Sequence, residues 1–364
     1  MSSLAEATTT NTQPSNTNQP LPLLEESLEL FQRCLALQEY LFTESQSQAL
    51  AAMDTSDPDL EDGGASLSSE PTASSNAPMP MEQEEQWASI VEPVTHETLV
   101  DTIVAQLEVL TLVCGLTNND SRMLSFIEEY ASPLLTLKLP TYAKELSPEI
   151  NTASSITAAT FISAVSDANF QSQRTDASTY WETLQKTWNL IDLTKTPEGL
   201  VSAAEALLSF NTAVARNSNI PPPSVLSTRW KALSPAQDYL LKASTLPDVD
   251  KLAKIYLLRG DVDILRFQLG TGEAPLEIAK KSQTVLVKNA EKFYRGAKKL
   301  AAADEVELVM EAGVKEGLAK AFGGDEGALR GVVKEVGEKV ARGLLVECWE
   351  EGLVGREELE GWGL

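Results

Sequence analysis

The chain has 364 residues, of which 43% are hydrophobic and 6% aromatic, so it can bury a substantial core and is not wholly disordered. Its 53 acidic residues outnumber 29 lysines and arginines and give a formal net charge of −24. That charge repels phosphate backbones and speaks against nucleic-acid binding as the main activity. It favours basic partners, or serves only to keep the chain soluble.

The N-terminal part alternates between polar stretches and one helical stretch. Residues 1–20 are mostly Thr, Asn, Gln, Ser and Pro and predict a disordered tail. Residues 21–53 carry an apolar stripe at helical spacing and predict an isolated N-terminal repeat helix, without a partner helix upstream. Residues 54–85, rich in Asp, Glu, Ser, Pro and Gly, predict a disordered acidic insertion. Residues 1–100 hold 17 acids and one base, Arg33, so −16 of the net charge lies there.

The remaining chain reads as helices in succession. Over 86–219 and again over 229–303, apolar residues recur every three or four positions, which predicts amphipathic helices that pack against one another. Between these stacks, residues 220–228 contain three consecutive prolines and predict a rigid extended connector. Residues 304–364 are rich in glycine and predict capping helices with frayed last residues.

The stretch 247–269 predicts two short helices that meet at Gly260. Leu252, Ala253 and Tyr256 share one face of the first helix. Gly260 permits a left-handed turn, and Asp261 can then cap a second helix. The pattern therefore predicts a helix hairpin.

Three parts of the chain resemble tetratricopeptide (TPR) repeats. Two residue orders are similar to the first helix of that repeat, namely L-A-x-x-Y-x-x-x-G and W-x-x-L-x-x-x-aromatic. A third order is similar to its second helix, namely small-x-x-x-aromatic-x-x-small. The first-helix orders are formed by Leu252, Ala253, Tyr256 and Gly260 in one part of the chain and by Trp181, Leu184 and Trp188 in another. The second-helix order is formed once by Ser27, Phe31, Cys34 and Leu35 and once by Ala206, Phe210 and Ala213. Two features depart from the family: Gln185 replaces its usual Gly or Ala, and the turn within 181–214 is about nine residues too long.

The resemblance implies an all-α fold in which antiparallel helix hairpins stack as a TPR-like α-solenoid, as in fungal cytosolic TPR-like proteins. The named repeat residues would then be packing residues. Such a stack has a concave groove that binds a peptide or helix. The function it implies is a non-enzymatic scaffold or adaptor for protein–protein interaction. One alternative is an acidic escort chaperone for a basic client, such as a ribosomal or histone-like protein. Another is an enzyme built on a helical scaffold.

A basic helix is predicted over 273–303, in contrast to the acidic chain as a whole. Between Pro275 and Leu300 there are seven lysines and arginines and two glutamates, which gives a net charge of +5. These bases either match the acidic N-terminal half within the molecule or face an anionic partner. The candidate partner-facing residues are Lys280, Lys281, Lys288, Lys292 and Arg295.

Catalytic and metal-binding patterns are not evident. The single histidine, His96, stands at a predicted helix start, and neither a nucleophile elbow nor a glycine-rich phosphate loop accompanies it. Cys34, Cys114 and Cys348 lack C-x-x-C spacing and are expected to be small buried residues in a reducing compartment. We therefore expect no catalytic residue, no cofactor and no metal.

The sequence also predicts an intracellular protein. Its N-terminus lacks the basic and apolar regions of a secretory signal. The longest apolar run, around Val109–Leu116, is shorter than the roughly 20 residues of a membrane span. We expect a cytoplasmic location, with the nucleus as an alternative, and a protein partner rather than a membrane.

Overall fold

The structure, a computed structural model, describes residues 20–54, 93–117, 120–217, 222–247, 251–272 and 274–363. Within these residues the regular secondary structure is helical, without strands, which confirms the all-α prediction for this part of the chain. The tail 1–20 and the acidic insertion 54–85 lie outside the description except for Pro20 and Asp54. The α-helices are α1 (Pro20–Asp54), α2 (His96–Leu116), α3 (Ser121–Pro133), α4 (Leu139–Ala143), α5 (Pro148–Gln171), α6 (Ala177–Asn189), α7 (Pro197–Arg216), α8 (Pro222–Ala243), α9 (Leu252–Gln268), α10 (Glu277–Leu300), α11 (Val306–Phe322), α12 (Glu326–Val336), α13 (Glu338–Glu350) and α14 (Arg356–Gly361). A π-helical turn, Leu134–Lys138, joins α3 to α4.

Two hydrophobic cores follow one another along the chain. The first is built from α1 to α5, with Leu107 of α2 fully buried at its centre. The second extends from α5 to α14. Helix α5 belongs to both, because Phe161 lies in the first core while Ala159 and Phe170 lie in the second. The shared helix joins the two halves into one packed body.

From α7 to α13 each helix packs mainly on its neighbours in the chain, whereas α2 contacts α5 more than any other helix. From α7 to α12 every helix contacts the one before and the one after it. Next-but-one neighbours also touch, as α5 does with α7 and α11 with α13. Local contacts of this kind follow from amphipathic helices joined by short connections.

Helix α1 is part of the first core and is not isolated. Leu24, Leu28 and Leu35 are buried and face α2. The hydroxyl of Tyr130 donates to the carbonyl oxygen of Leu28 over 3.2 Å, and Lys138 pairs with Glu39 over 2.9 Å. The helix therefore has its partners downstream in the chain.

Cys34 of α1 is exposed, so two expectations for it are wrong. It neither packs as a repeat residue nor lies buried as the other cysteines, Cys114 and Cys348, do. The reason is helical geometry, since Cys34 precedes the buried Leu35 by one position and lies about 100° around the helix from it. The small-residue pattern is present in the sequence but falls off the buried stripe.

The hairpin predicted over 247–269 is wrong, because α9 runs unbroken from Leu252 to Gln268. Gly260 lies in the middle of this helix, against the ring of Tyr294 from α10, and a Cβ atom there would clash with that ring. Gly296 of α10 faces Tyr256 of α9 in the same way, with 2.7 Å between its ideal Cβ position and Cδ1 of the tyrosine. The two glycines therefore permit close packing of α9 and α10 instead of a turn.

A continuous α9 also changes the role of Asp261. The residue does not cap a helix but lies buried in the interior. Around it Val262, Ile264 and Leu265 are buried as well. A turn at Gly260 would break the helix that carries these side chains into the core, and their burial explains why the helix continues.

The proline-rich connector is also helical where the structure describes it. Residues 222–228 form the first turns of α8 rather than an extended segment. A proline is tolerated in the first turn because the N–H group that it lacks would have no partner inside the helix. Helix α8 therefore begins at Pro222, which the sequence pattern assigned to a linker.

Helix α2 has the length and composition of a membrane span, which differs from the expectation that no apolar run is long enough. Its 21 residues include a window of mean hydropathy 1.8. However, 56% of that window is buried inside the fold, including Ile103 and Leu110. A core helix surrounded by other helices has this character.

Candidate functional site

Two adjoining cavities share lining residues on α7. The first cavity, of about 420 Å³, lies among α2, α5, α6 and α7. The second, of about 470 Å³, lies among α7, α9 and α13. Glu205 and Ser209 of α7 line both cavities and connect them. We call the whole the acidic groove, with a polar half and a carboxylate half.

The polar half is lined by groups that bond to one another. Asp167 accepts hydrogen bonds from the hydroxyl of Tyr180 over 3.1 Å and from the amide of Gln171 over 2.6 Å. Burial raises the pKa of Asp167, and these bonds oppose the increase. Trp188 donates its indole N–H to Ser163 over 3.1 Å. In this half the side chains of Asp167, Gln171, Tyr180 and Ser163 are therefore already paired.

Beneath the carboxylate half lies a buried ionic cluster around Lys315 of α11. The Nζ atom lies 3.1 Å from Oδ2 of Asp261, 2.9 Å from Oε2 of Glu351 and 2.8 Å from Oε1 of Glu311. The hydroxyl of Tyr294 donates to the other oxygen of Asp261 over 2.9 Å. The lysine side chain is only 2% exposed. The cluster ties α9, α10, α11 and the end of α13 together.

Protonation in this cluster follows from burial and charge. Burial disfavours the charged lysine, but Asp261 and the other carboxylates outweigh it and hold the pKa of Lys315 well above its ordinary value. Burial raises the pKa of Asp261 against the attraction of the lysine. Lys315 is therefore a permanent cation at neutral pH.

Negative charge remains unneutralised in the carboxylate half. Five carboxylates line it, namely those of Glu205, Asp261, Glu347, Glu350 and Glu351. Two lysines pair with them: Lys315 with Asp261 and Glu351, and Lys254 with Glu205 over 2.6 Å. Five negative and two positive charges leave a formal charge of −3. Burial, and then the charges of Glu311 and Glu351, raise the pKa of Glu347. A cation bound here would relieve this like-charge repulsion.

Leucines form the walls between these carboxylates. Leu265 and Leu353 are buried, while Leu208 and Leu258 are half-buried along the groove. Lysine and arginine carry a charged end on an apolar stem, so a wall of leucines below a rim of carboxylates matches both parts. The groove is therefore suited to basic side chains.

The two cysteines at the groove are not activated as nucleophiles. Burial raises the pKa of Cys114, in the polar half, and of Cys348, beside Lys315, to about 12. Both therefore remain thiols at neutral pH, and the thiolate is the reactive form. His96 lies away from the groove, with its ring 4.7 Å from that of Phe42. In the described part of the chain no cluster of three or more His, Cys, Asp or Glu side chains could hold a metal ion.

Most of the repeat residues lie inside the two cores. Half-buried positions are Phe31, Trp181, Leu252 and Tyr256, while Cys34 is exposed. The buried ones are Ser27, Leu35, Leu184, Trp188, Ala206, Phe210, Ala213, Ala253 and Gly260. Whether these residues belong to TPR repeats stays a prediction.

The basic side chains of α10 lie on the outer surface. Arg295 pairs with Glu291 and, over 3.3 Å, with Glu316, so part of the charge is neutralised by α11. Among the described residues none of these bases pairs with the N-terminal helices. The candidates Lys280, Lys281, Lys288 and Lys292 are exposed, without an ion pair in the described chain. Their role toward a partner stays a prediction.

A concave groove was expected, but the residues that line this one were not predicted, because they come from distant parts of the sequence. Glu205, Asp261 and Glu347 each stand in an ordinary amphipathic helix. One signal was available in Lys315, a charged residue within the small and apolar stretch A-G-V-K-E-G-L-A. A charge at a core position indicates a buried ionic partner.

No family model, curated protein or solved structure matches this chain. The acidic groove is therefore characterised by its own geometry and charge alone.

Proposed function

We propose that this chain is a non-enzymatic protein-interaction module, a TPR-like α-solenoid whose acidic groove binds a basic peptide or helix of a partner protein. The observation that carries the proposal is the pair of adjoining cavities that share Glu205 and Ser209, with unneutralised carboxylates in one of them. Contacts between next-but-one helices, as for α5 with α7, support the solenoid arrangement.

The chemistry of the ligand follows from the carboxylate half. Carboxylates bind guanidinium groups through paired, charge-assisted hydrogen bonds, and the leucine walls accept the apolar stems. An extended segment with several arginines or lysines could occupy the groove along its length. Complementary charge would also make the association sensitive to salt.

The test compares two labelled peptides by fluorescence anisotropy. One alternates arginine with serine, and the other replaces each arginine by citrulline, which is neutral but has nearly the same shape. We expect the arginine peptide to bind and the citrulline peptide not to bind. The double variant Glu347→Gln/Glu350→Gln should weaken binding about tenfold, since each carboxylate contributes about 0.5–1 kcal/mol.

The matched control is Glu335→Gln/Glu357→Gln, which removes two exposed carboxylates outside the groove. This control should bind the arginine peptide as the unmodified chain does. Equal loss in both double variants would mean that overall charge, not the groove, attracts the peptide, and would refute the proposal.

The second candidate is an escort chaperone for a basic client. The net charge of −16 over residues 1–100 favours it, because this charge adds to that of the groove. Under this proposal a purified histone should bind in a salt-sensitive manner, and deletion of residues 54–85 should weaken that binding. Unchanged affinity after the deletion would remove its basis and leave the groove proposal intact.

A further inference from the structure

Helix α1 has a second apolar stripe on its outer side. Leu23, Leu30, Leu37 and Leu41 are between 37% and 59% exposed. The first three are seven residues apart, and the fourth follows four residues later, so all lie on one side of the helix. We call these four leucines the α1 seam. The seam is distinct from the buried stripe of the same helix, which faces α2.

The seam has the form of one half of a helix pair. Leucines at heptad spacing normally insert between the side chains of a second helix. From Leu23 to Leu41 the seam is about 27 Å long at 1.5 Å per residue, which matches a partner helix of about 19 residues. A row of exposed leucines along one side of a helix differs from apolar residues scattered singly over a surface, which are normal.

Charge along the seam restricts what can cover it. On one flank lie the exposed side chains of Glu26, Glu29, Arg33 and Glu44. Arg33 is already paired with Glu29. The flank is therefore net acidic, and like charges at these positions disfavour helix pairing.

The covers that the chain itself could supply do not complement this charge. Residues 1–19 and 55–92 contain no lysine or arginine, and residues 55–92 contain nine carboxylates. A second copy of α1 would bring the same acidic flank against this one. Charge complementarity therefore favours a different protein.

We propose that the α1 seam binds an amphipathic helix of a partner protein, with leucine-like residues on its inner face and lysine or arginine on its flanks. This surface is independent of the acidic groove, since none of its leucines lines either cavity of the groove. The chain would then hold partners at two separate places.

The test uses two designed three-heptad peptides with leucine at positions a and d. One has lysine at positions e and g, and the other has glutamate there. We expect the lysine peptide to bind the full-length protein and the glutamate peptide to bind at least tenfold more weakly. The double variant Leu30→Glu/Leu37→Glu should lower affinity for the lysine peptide at least tenfold. Because this variant adds negative charge, electrostatic attraction alone predicts tighter binding.

Leu137→Glu/Leu190→Glu is the matched control, since Leu137 is 65% and Leu190 79% exposed outside the seam. It should bind the lysine peptide normally. Circular dichroism of both double variants should match the unmodified protein, because the substituted leucines are exposed.

Three outcomes would overturn the proposal. The first is that Leu30→Glu/Leu37→Glu binds the lysine peptide as tightly as the unmodified protein does. The second is a monomer–dimer equilibrium that Leu30→Glu/Leu37→Glu abolishes, which would assign the seam to a second copy. The third is a crosslink from a Leu37→benzoylphenylalanine variant to residues 1–19 or 55–92, which would assign it to the chain itself.

Discussion

The Nζ atom of Lys315 and Oδ2 of Asp261 lie 3.1 Å apart, with side chains that are 2% and 8% exposed. This ion pair joins α11 to α9 directly beneath the carboxylate half of the acidic groove. Glu351, 2.9 Å from the same nitrogen, reaches from the pair to the rim. The interior of the protein and its candidate binding surface thus share one charged group.

Replacement of Lys315 should be strongly destabilising. In Lys315→Met, Asp261 would stay buried without its cation, and an uncompensated buried charge costs about 3–5 kcal/mol. Asp261→Asn should cost less, about 1–2 kcal/mol, because Lys315 keeps Glu311 and Glu351. Urea denaturation measures both free energies of unfolding.

The double variant Lys315→Met/Asp261→Asn is the control for this prediction. It removes both charges, so it should be more stable than Lys315→Met alone. Additive losses would show that the two side chains do not interact, contrary to their geometry.

Asp263 should make the protein less stable as pH rises. Burial raises its pKa to about 6, against the attraction of Arg266 and Arg259. The ordinary pKa is 3.8, so between about pH 4 and 6 the folded state binds more protons than the unfolded state. Stability falls with pH wherever the folded state holds the extra proton. The slope should end above pH 6, where both states are ionised.

Asp263→Asn should reduce that slope and stabilise the protein at pH 7 by about 1–2 kcal/mol, while Asp261, whose pKa burial also raises to about 6, keeps its own part of the slope. Oδ2 of Asp263 is buried without a hydrogen-bond partner among the described residues, so little is lost at that atom. Arg266 still donates to the carbonyl of Leu233 over 3.3 Å. Thermal unfolding of both proteins from pH 4 to 7 provides the measurement; parallel curves would contradict the assignment.

Gly260 and Gly331 should respond in opposite ways to alanine. Gly260→Ala places a methyl group against the ring of Tyr294 and should cost about 1–3 kcal/mol. Gly331 lies exposed inside α12 with nothing within 4 Å of its ideal Cβ position, so Gly331→Ala should gain about 0.5–1 kcal/mol of helix propensity. Chemical denaturation measures the free energy of unfolding of both variants, and the comparison separates the effect of close packing at Gly260 from a general effect of replacing glycine. Equal effects would mean that α9 and α10 are not in close contact.

Thiol reagents should modify one cysteine much faster than the other two. Cys34 is exposed, while Cys114 and Cys348 are buried with pKa values near 12. We expect one thiol per chain to react promptly under native conditions and all three after denaturation. Mass spectrometry of the labelled peptides identifies the site, and the variant Cys34→Ser should abolish the fast phase.

Local patterns were sufficient to predict the helical character of the chain. The spacing of Leu24, Leu28 and Leu35 placed a helix and its buried side correctly, because neighbours three and four apart meet on one face whatever surrounds them. Trp188 and Phe210, which the resemblance to TPR repeats implied as packing residues, are buried as well. Both belong to amphipathic helices whose periodicity is visible without tertiary contacts.

Only the tertiary structure decided the role of Gly260 and the location of the groove. A glycine serves a turn or a close approach equally well, and the choice depends on Tyr294, which is distant in sequence. The groove depends on Glu205, Asp261 and Glu347, which three separate helices bring together. The sequence by itself determined an all-α chain with an acidic excess. Packing decided which of its many carboxylates face one another, because charge clustering is a property of distances between helices and not of spacing along one helix.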